Sequence, residues 1–325
     1  MQPSNLRPFK ASEEPEPLKQ QLGYIYSPDR YYAVVRPEGA EPSDTEDKLL
    51  IRDDRFGAGI MQLDLDMRLP TALLSGRALP EGADAVLLTD DGYILMLRDG
   101  LMRVERIPGV APENDDPTEW ASCQTNTATV SDGKLFVSGS KGLIAVRDSV
   151  SSWAELHRYE EKAPTLMLDS LVVSKAGEIL AAGSRDYEPT YLYSSDSRIW
   201  EEATLSGGFL TGAVSASDGN FLVLGSNGEI WLGHPKEGFK DIRPFEGSPE
   251  FDAVQSYKGK TYLSSAIEGL YVLEDGRLVQ LNPFVGDQRF LIYSFDVHDD
   301  KLWMQGMNGF AMFDGESWTR IEVPW

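Results

Sequence analysis

A sixteen-residue pattern occurs twice in this chain, as SDGKLFVSGSKGLIAV at residues 131–146 and as SDGNFLVLGSNGEIWL at residues 217–232. Each copy has a Gly-containing turn, an apolar run, a second turn with Gly and another apolar run. This order indicates two short strands joined by a hairpin and entered through a tight turn. The repeat restricts the fold strongly, because each copy must bury its apolar faces against a neighbouring copy.

Seven copies can be counted when each is aligned on the turn between its first and second strands. A strand-like run precedes each turn residue, and a fourth run often begins with an aromatic residue, as in WTRI at 318–321. Four short strands every ~40–45 residues, without helical periodicity, are typical of a β-propeller blade. The sequence therefore predicts an all-β fold, a single β-propeller of seven four-stranded blades, with six or eight left open. The turn residues are Asp47, Gly92, Gly133, Gly177, Gly219, Gly259 and Asp300.

The two ends of the chain differ in composition. Residues 1–21 are rich in Pro, Glu and Lys, which favours a flexible tail, and residues 22–325 are assigned to the propeller. Blade 1, at about residues 22–70, is the most divergent copy. We expect LGYIY (22–26) to be either an extra strand that closes the ring or a cover for a sheet edge.

The charge of the chain restricts its partners. The 325 residues include 30 Lys and Arg against 52 Asp and Glu, a formal net charge of −22. Nucleic acid and anionic membranes are disfavoured, because binding them relies on basic residues, whereas a basic protein is attracted. The N-terminus lacks the apolar segment of a secretory signal and no apolar run reaches membrane-spanning length. We therefore expect a cytoplasmic protein that is a monomer on its own and binds a basic protein partner.

One turn resembles a known motif. SSDSRIW (194–200) is similar to the Asp-box of sialidase-like propellers, Ser-x-Asp-x-Gly-x-x-Trp, but has Arg198 in place of the glycine and is one residue shorter. RDSVSSW and FDGESW share the terminal tryptophan but not the full box, and the Trp-Asp and Gly-His signatures of Trp-Asp repeats are missing. The resemblance implies a degenerate propeller family. Enzymes of the Asp-box type carry an Arg-Ile-Pro motif, found here at 106–108, although a fourth strand explains Arg106 and Ile107 as well.

Catalytic motifs are missing from the sequence. The three histidines, His157, His234 and His298, lack the spacing of metal ligands. There is no phosphate-binding Gly loop, nucleophile elbow or calcium loop. We expect no catalytic residue, cofactor or metal, and therefore no enzyme.

Loops on one face are the predicted binding site. In a propeller, the connections from strand two to strand three and from blade to blade share one face. Four long, irregular loops, at 53–59, 108–124, 183–190 and 282–290, are assigned to this face, and the acidic segment 38–47 to the other. Carboxylates there surround aromatic residues, a pattern that favours binding a cationic protein. The predicted partner-binding residues are Asp53, Asp54, Phe56, Glu113, Asp115, Asp116, Glu119, Trp120, Asp186, Tyr187 and Glu188.

Two functions from different classes follow. The first is a non-catalytic inhibitor inside the cell, by type a bacterial toxin-immunity protein that covers the active cleft of a basic partner such as a nuclease toxin. The alternative is a glycan-binding or glycoside-hydrolysing propeller of the Asp-box type. An arginine cluster inside the central channel would favour the alternative, and an acidic rim would favour the inhibitor.

Overall fold

A computed structural model describes most of the chain, and almost all of the regular structure in it is strand. A short 3-10 turn lies at Pro80–Gly82. Within the described part, no helix has the length and apolar character that crossing a membrane requires. The described residues are 7–8, 18–27, 30–37, 47–54, 59–65, 69–75, 79–110, 123–159, 165–216, 219–243, 249–265, 267–274, 277–284, 292–298, 300–306 and 309–321.

The strands form seven antiparallel sheets that follow one another along the chain. Blade 1 contains β1 (Arg7–Pro8), β2 (Leu18–Ser27), β3 (Arg30–Pro37), β4 (Lys48–Asp53) and β5 (Ile60–Asp64). Blade 2 contains β6 (Pro70–Ser75), β7 (Ala85–Thr89), β8 (Tyr93–Arg98) and β9 (Leu101–Arg106). Blade 3 contains β10 (Thr125–Ser131), β11 (Lys134–Gly139), β12 (Ile144–Ser149) and β13 (Ser152–His157). Blade 4 contains β14 (Met167–Val173), β15 (Ile179–Arg185), β16 (Glu188–Ser194) and β17 (Glu201–Thr204).

The remaining three blades have the same four-stranded form. Blade 5 contains β18 (Leu210–Ser215), β19 (Phe221–Gly225), β20 (Ile230–His234) and β21 (Gly238–Asp241). Blade 6 contains β22 (Ala253–Tyr257), β23 (Lys260–Ser265), β24 (Gly269–Glu274) and β25 (Arg277–Leu281). Blade 7 contains β26 (Ile292–His298), β27 (Lys301–Gly306), β28 (Gly309–Phe313) and β29 (Trp318–Ile321). The prediction of an all-β propeller with seven blades is confirmed.

Apolar packing between neighbouring blades closes the ring. Among the described strands, each sheet is built from consecutive strands, so no described blade combines strands from the two ends of the chain. The buried apolar residues instead form clusters that each lie between two adjacent blades. Tyr31 and Leu50 of blade 1 pack with Trp303 and Phe310 of blade 7, which joins the first blade to the last. Hydrophobic burial, rather than a shared sheet, therefore holds the ring together at this point.

The structure corrects two of the seven turn assignments. Gly133, Gly177, Gly219, Gly259 and Asp300 lie between first and second strands, as predicted. Asp47 and Gly92 instead lie between the second and third strands of blades 1 and 2. In blade 2 the first two strands are separated by the 3-10 turn, so the apolar run at 85–89 is the second strand and not the first.

The N-terminal segment also differs from expectation. LGYIY belongs to β2, the first strand of blade 1, and is neither an extra closing strand nor an edge cover. Strand β2 begins at Leu18, within the segment expected to be a flexible tail. In the same segment β1 pairs with the outer strand β5, with Arg7 opposite Gln62. The outer edge of blade 1 is thus covered by β1, which blunts an edge that could pair with another chain.

The two faces of the ring follow from these strand directions. We call the upper face the one that carries the turns between second and third strands, such as 185–188, and the connections between blades. The lower face carries the other two kinds of turn. The Asp-box-like turn is on the lower face, where Asp196 accepts hydrogen bonds from the backbone N–H groups of Arg198 and Ile199. In the last blade, the same kind of bonds from Ser317 and Glu316 lower the pKa of Asp314 to about 2.

Candidate functional site

The tightest turn of blade 4 presents an aromatic side chain to solvent on the upper face. Strands β15 and β16 pair Arg185 with Glu188, which leaves Asp186 and Tyr187 as a two-residue loop. Both have positive φ, at 48° and 72°, the conformation of a type I′ hairpin, in which glycine is preferred. The equivalent turn of blade 3 has Gly142 at the second position, with φ 65°. A bulky residue in this conformation is strained, and Tyr187 is 86% exposed, so packing does not account for it.

A second aromatic residue lies beside Tyr187. The ring centroids of Tyr187 and Phe209 are 6.0 Å apart, and Phe209 is 42% exposed. The connection that carries Phe209 is fixed from below by Glu229, whose buried carboxylate accepts from the backbone N–H groups of Gly208 and Asn227 at 3.1 and 3.0 Å. A carboxylate bonded twice to backbone holds this connection against the turn of blade 5. We refer to Tyr187 and Phe209 as the aromatic pair.

Negative charge surrounds the aromatic pair. Asp186 and Glu188 are both exposed, and Thr165 donates a hydrogen bond to the Asp186 carboxylate. The nearby cation, Arg185, forms an ion pair with Glu202, and its guanidinium lies 4.9 Å from the centre of the Tyr159 ring. Because that guanidinium is engaged, the two exposed carboxylates remain available for a cationic partner. The predicted residues Asp186, Tyr187 and Glu188 therefore lie together on the upper face.

The other predicted residues divide into two groups. Asp53 ends β4, the third strand of blade 1, and Asp54 follows it, so both lie on the lower face rather than with Asp186. Asp53 is 4% exposed, accepts a hydrogen bond from Tyr32 and pairs with Arg30 at 3.2 Å, so a partner cannot reach it. Residues 38–46 of the acidic segment 38–47 lie outside the described residues. Phe56, Glu113, Asp115, Asp116, Glu119 and Trp120 lie outside the described residues.

A channel runs through the centre of the ring. It has a cavity of about 470 Å³, within the usual range for small-ligand sites, lined by the innermost strands. The described lining residues are apolar or uncharged polar, including Thr71, Ser170, Gln255 and Ser294. No arginine is among them, so the described part of the channel lacks the cluster expected of the glycosidase alternative.

Residues that were considered for catalysis make contacts that stabilise the fold. Nδ1 of His157 is 2.7 Å from the carbonyl oxygen of Gly142, and His234 is 3.4 Å from the carboxylate of Glu178. Arg106 ends the outer strand of blade 2, with its guanidinium 5.3 Å from the Tyr93 ring centre, and Ile107 is buried. The Arg-Ile-Pro segment thus lies at the end of a fourth strand. In the described ranges, no three His, Cys, Asp or Glu side chains cluster as metal ligands.

The chain is similar to known proteins in sequence and in fold. No protein-family model matches the chain. It is 22% identical over 266 residues to the immune protein Tsi7 of Pseudomonas aeruginosa, covering 79% of this chain and 82% of Tsi7.

Solved structures resemble the chain in fold. YCF48 bound to D1 peptide has a TM-score of 0.62 and 15% identity, over 92% of both chains. A catalytically inactive virginiamycin B lyase from Staphylococcus aureus with quinupristin has a TM-score of 0.63 and 8% identity, over 93% of this chain and 96% of the lyase. At such identities the likeness shows the propeller fold alone, since one fold serves many functions.

Proposed function

We propose that this chain is a non-catalytic immunity-type protein that neutralises a basic toxin, such as a nuclease, by covering its active cleft with the upper face. The observation that carries the proposal is the likeness to an immune protein, which extends over most of both chains. The net charge of −22 supports a cationic partner, because opposite charge raises the rate of association and penalises wrong partners.

The aromatic pair supplies the centre of the proposed interface. Exposed tyrosines in strained turns are costly for a monomer, and tyrosine is enriched among the residues that dominate binding energy. Three exposed aliphatic residues, Leu101, Val150 and Ile199, lie in or directly beside turns of the lower face. Aromatic residues contribute more to binding energy than aliphatic ones, which favours the upper face as the site.

The experiment is affinity capture from a lysate of the native host, with elution across a salt gradient and identification by mass spectrometry. We expect one stoichiometric basic protein that elutes only at high salt, because salt screens exposed charge pairs. The purified chain should abolish the activity of that protein at a one-to-one ratio. A captured protein whose activity is unchanged at excess chain would contradict the proposal.

Replacing Tyr187 with glycine should affect stability and binding in opposite directions. Tyr187→Gly removes the strain of positive φ, so we expect the free energy of unfolding to stay unchanged or rise by up to about 1 kcal/mol. Loss of an aromatic anchor should weaken binding of the captured toxin by about 2 kcal/mol, or roughly thirtyfold. Denaturant unfolding and calorimetric titration measure the two effects.

Ser151→Gly is the matched control for this variant. Ser151 also has positive φ, at 52°, but lies in a turn of the lower face. The Ser151→Gly variant should relieve the same kind of backbone strain and leave the affinity for the captured toxin unchanged. If the captured toxin bound wild type and Tyr187→Gly with equal affinity, the aromatic pair would not be part of the interface.

A further inference from the structure

The innermost strands share an irregularity at their upper ends. In six of the seven, the register with the second strand shifts by one residue just after the strand begins, as in a β-bulge. Bulges of this kind redirect a side chain and are over-represented at functional sites. Repeated around the ring, they encircle the upper mouth of the channel. The bulged residues are Gln21, Thr71, Asn126, Asp169, Thr211 and Tyr293.

One of the bulged residues is a carboxylate. Asp169 is exposed, and its Oδ1 accepts a hydrogen bond from Nδ2 of Asn126, the bulged residue of the preceding blade, at 2.8 Å. Among the residues that the structure describes, no Lys or Arg pairs with it. The surrounding chain desolvates the carboxylate and raises the pKa of Asp169, even though the side chain reaches solvent. A desolvated carboxylate is stabilised by a cation that comes close to it.

The cavity lies next to this residue. Ser170, the next residue, lines it, and so does Thr71, which has the same bulge position in blade 2. The described lining offers hydroxyl and amide oxygens and carries no charge. A side chain that enters beside Asp169 therefore meets hydrogen-bond acceptors without a competing cation.

We propose that the upper mouth of the central channel is an anchor pocket for a lysine side chain of the partner, with its ammonium group bound by Asp169. That the lysine belongs to a protein partner rests on the proposed function. Asn126 occupies Oδ1, which leaves Oδ2 as the oxygen free of described partners. A single oxygen suits the compact ammonium better than the guanidinium fork, which prefers both oxygens of a carboxylate. Hydroxyl groups of the lining accept the remaining ammonium protons.

The test is a methyl-NMR titration of the full chain with Nα-acetyl-lysine methylamide as the probe. We expect saturable shifts at Ala72, Ala128 and Val172, which line the cavity. The same probe acetylated on Nζ carries no charge and should cause no saturable shifts at these residues. Asp169→Asn keeps the size of the side chain and should weaken the probe about tenfold, the effect of one charged hydrogen bond.

Two controls keep the outcome clear. Asp148→Asn changes an exposed carboxylate near the lower end of β12 and should titrate like wild type. Asp169→Asn removes a desolvated charge, so its unfolding midpoint should equal or exceed that of wild type. The proposed lysine pocket would be contradicted if the acetylated probe caused the same shifts as the lysine probe, or if Asp169→Asn bound the lysine probe as tightly as wild type. Tighter binding of the arginine counterpart would overturn the assignment to lysine.

The two proposals fail separately. If the captured toxin binds Asp169→Asn as tightly as wild type, the anchor is wrong and the immunity function stands. If the lysine probe binds as expected and the lysate yields no inhibited partner, the pocket stands and the proposed function is wrong.

Discussion

Arg147→Met should destabilise the protein by about 3 kcal/mol, because it leaves a buried carboxylate without its main partner. Arg147 is 3% exposed and donates to both carboxylate oxygens of Glu105, which is 2% exposed, at 2.8 Å each. A further bond of 2.8 Å reaches Glu81, in the 3-10 turn. Arg147 belongs to blade 3 and both acids to blade 2, so the cluster joins two blades.

Denaturant unfolding of three proteins tests this expectation. Wild type, Arg147→Met and the double variant Arg147→Met with Glu105→Leu form the series. The double variant should recover most of the loss, since an apolar pair of similar volume replaces a buried ion pair at little cost. A loss of less than about 1 kcal/mol in the single variant would mean that Arg103, 2.9 Å from Glu105, suffices alone.

Acid should reduce the difference between Arg147→Met and wild type. Hydrogen bonds from Arg147 and Arg103 lower the pKa of Glu81 in the folded state. A lowered carboxyl pKa contributes stability that is present above the ordinary glutamate pKa and is lost as pH falls through the folded pKa. Unfolding measured at neutral and at acidic pH should therefore show the two proteins converging.

Gly183→Ala should cost about 3 kcal/mol, the upper end of overpacking, although its φ is ordinary. A Cβ at this position would lie 1.8 Å from the carbonyl oxygen of Met167 and 2.8 Å from its carbonyl carbon, and backbone cannot move aside cheaply. Gly183 pairs with Leu168, next to the bulge that presents Asp169. The variant should therefore also weaken the lysine probe at the channel mouth.

Gly177→Ala is the matched control. Gly177 has φ +83° but open space around its Cβ position, so alanine there should cost only about 1–2 kcal/mol, through strain of positive φ. Thermal or denaturant unfolding compares the two variants directly. If Gly183→Ala costs no more than Gly177→Ala, close packing against the bulge is not what requires this glycine.

The repeat predicted the architecture because turn chemistry and strand alternation are local properties of the sequence. The repeat pattern misassigned the turn residues of blades 1 and 2. In blade 2 a 3-10 turn separates the first two strands, and in blade 1 a long connection separates the second and third. The bulges were not predicted, because a register shift depends on how two strands pair. A signal for them does exist: Gly139, Gly183, Gly225 and Gly306 each lie at or near the end of a second strand, opposite the residue that precedes a bulge.

The candidate site was predictable to the extent that it lies in turns. Asp186, Tyr187 and Glu188 were selected because their segment combines acidic and aromatic residues, and they are exposed. The segment 183–190, expected to be a long, irregular loop, is instead mostly strand with a two-residue turn. Their part in binding stays a prediction. Asp53 was misassigned, because an acidic residue at a strand end can equally pair inside the protein, as it does with Arg30. Phe209 was missed, since its contact with Tyr187 joins two segments that are distant in sequence.

The most direct test of the immunity function is growth of bacteria that produce the captured basic protein, with and without this chain. We predict that the captured protein alone arrests growth, that wild-type chain restores it, and that Tyr187→Gly restores it less well at equal expression. Arrest that persists in the presence of the wild-type chain, or a captured protein that leaves growth unaffected when produced alone, would contradict the account.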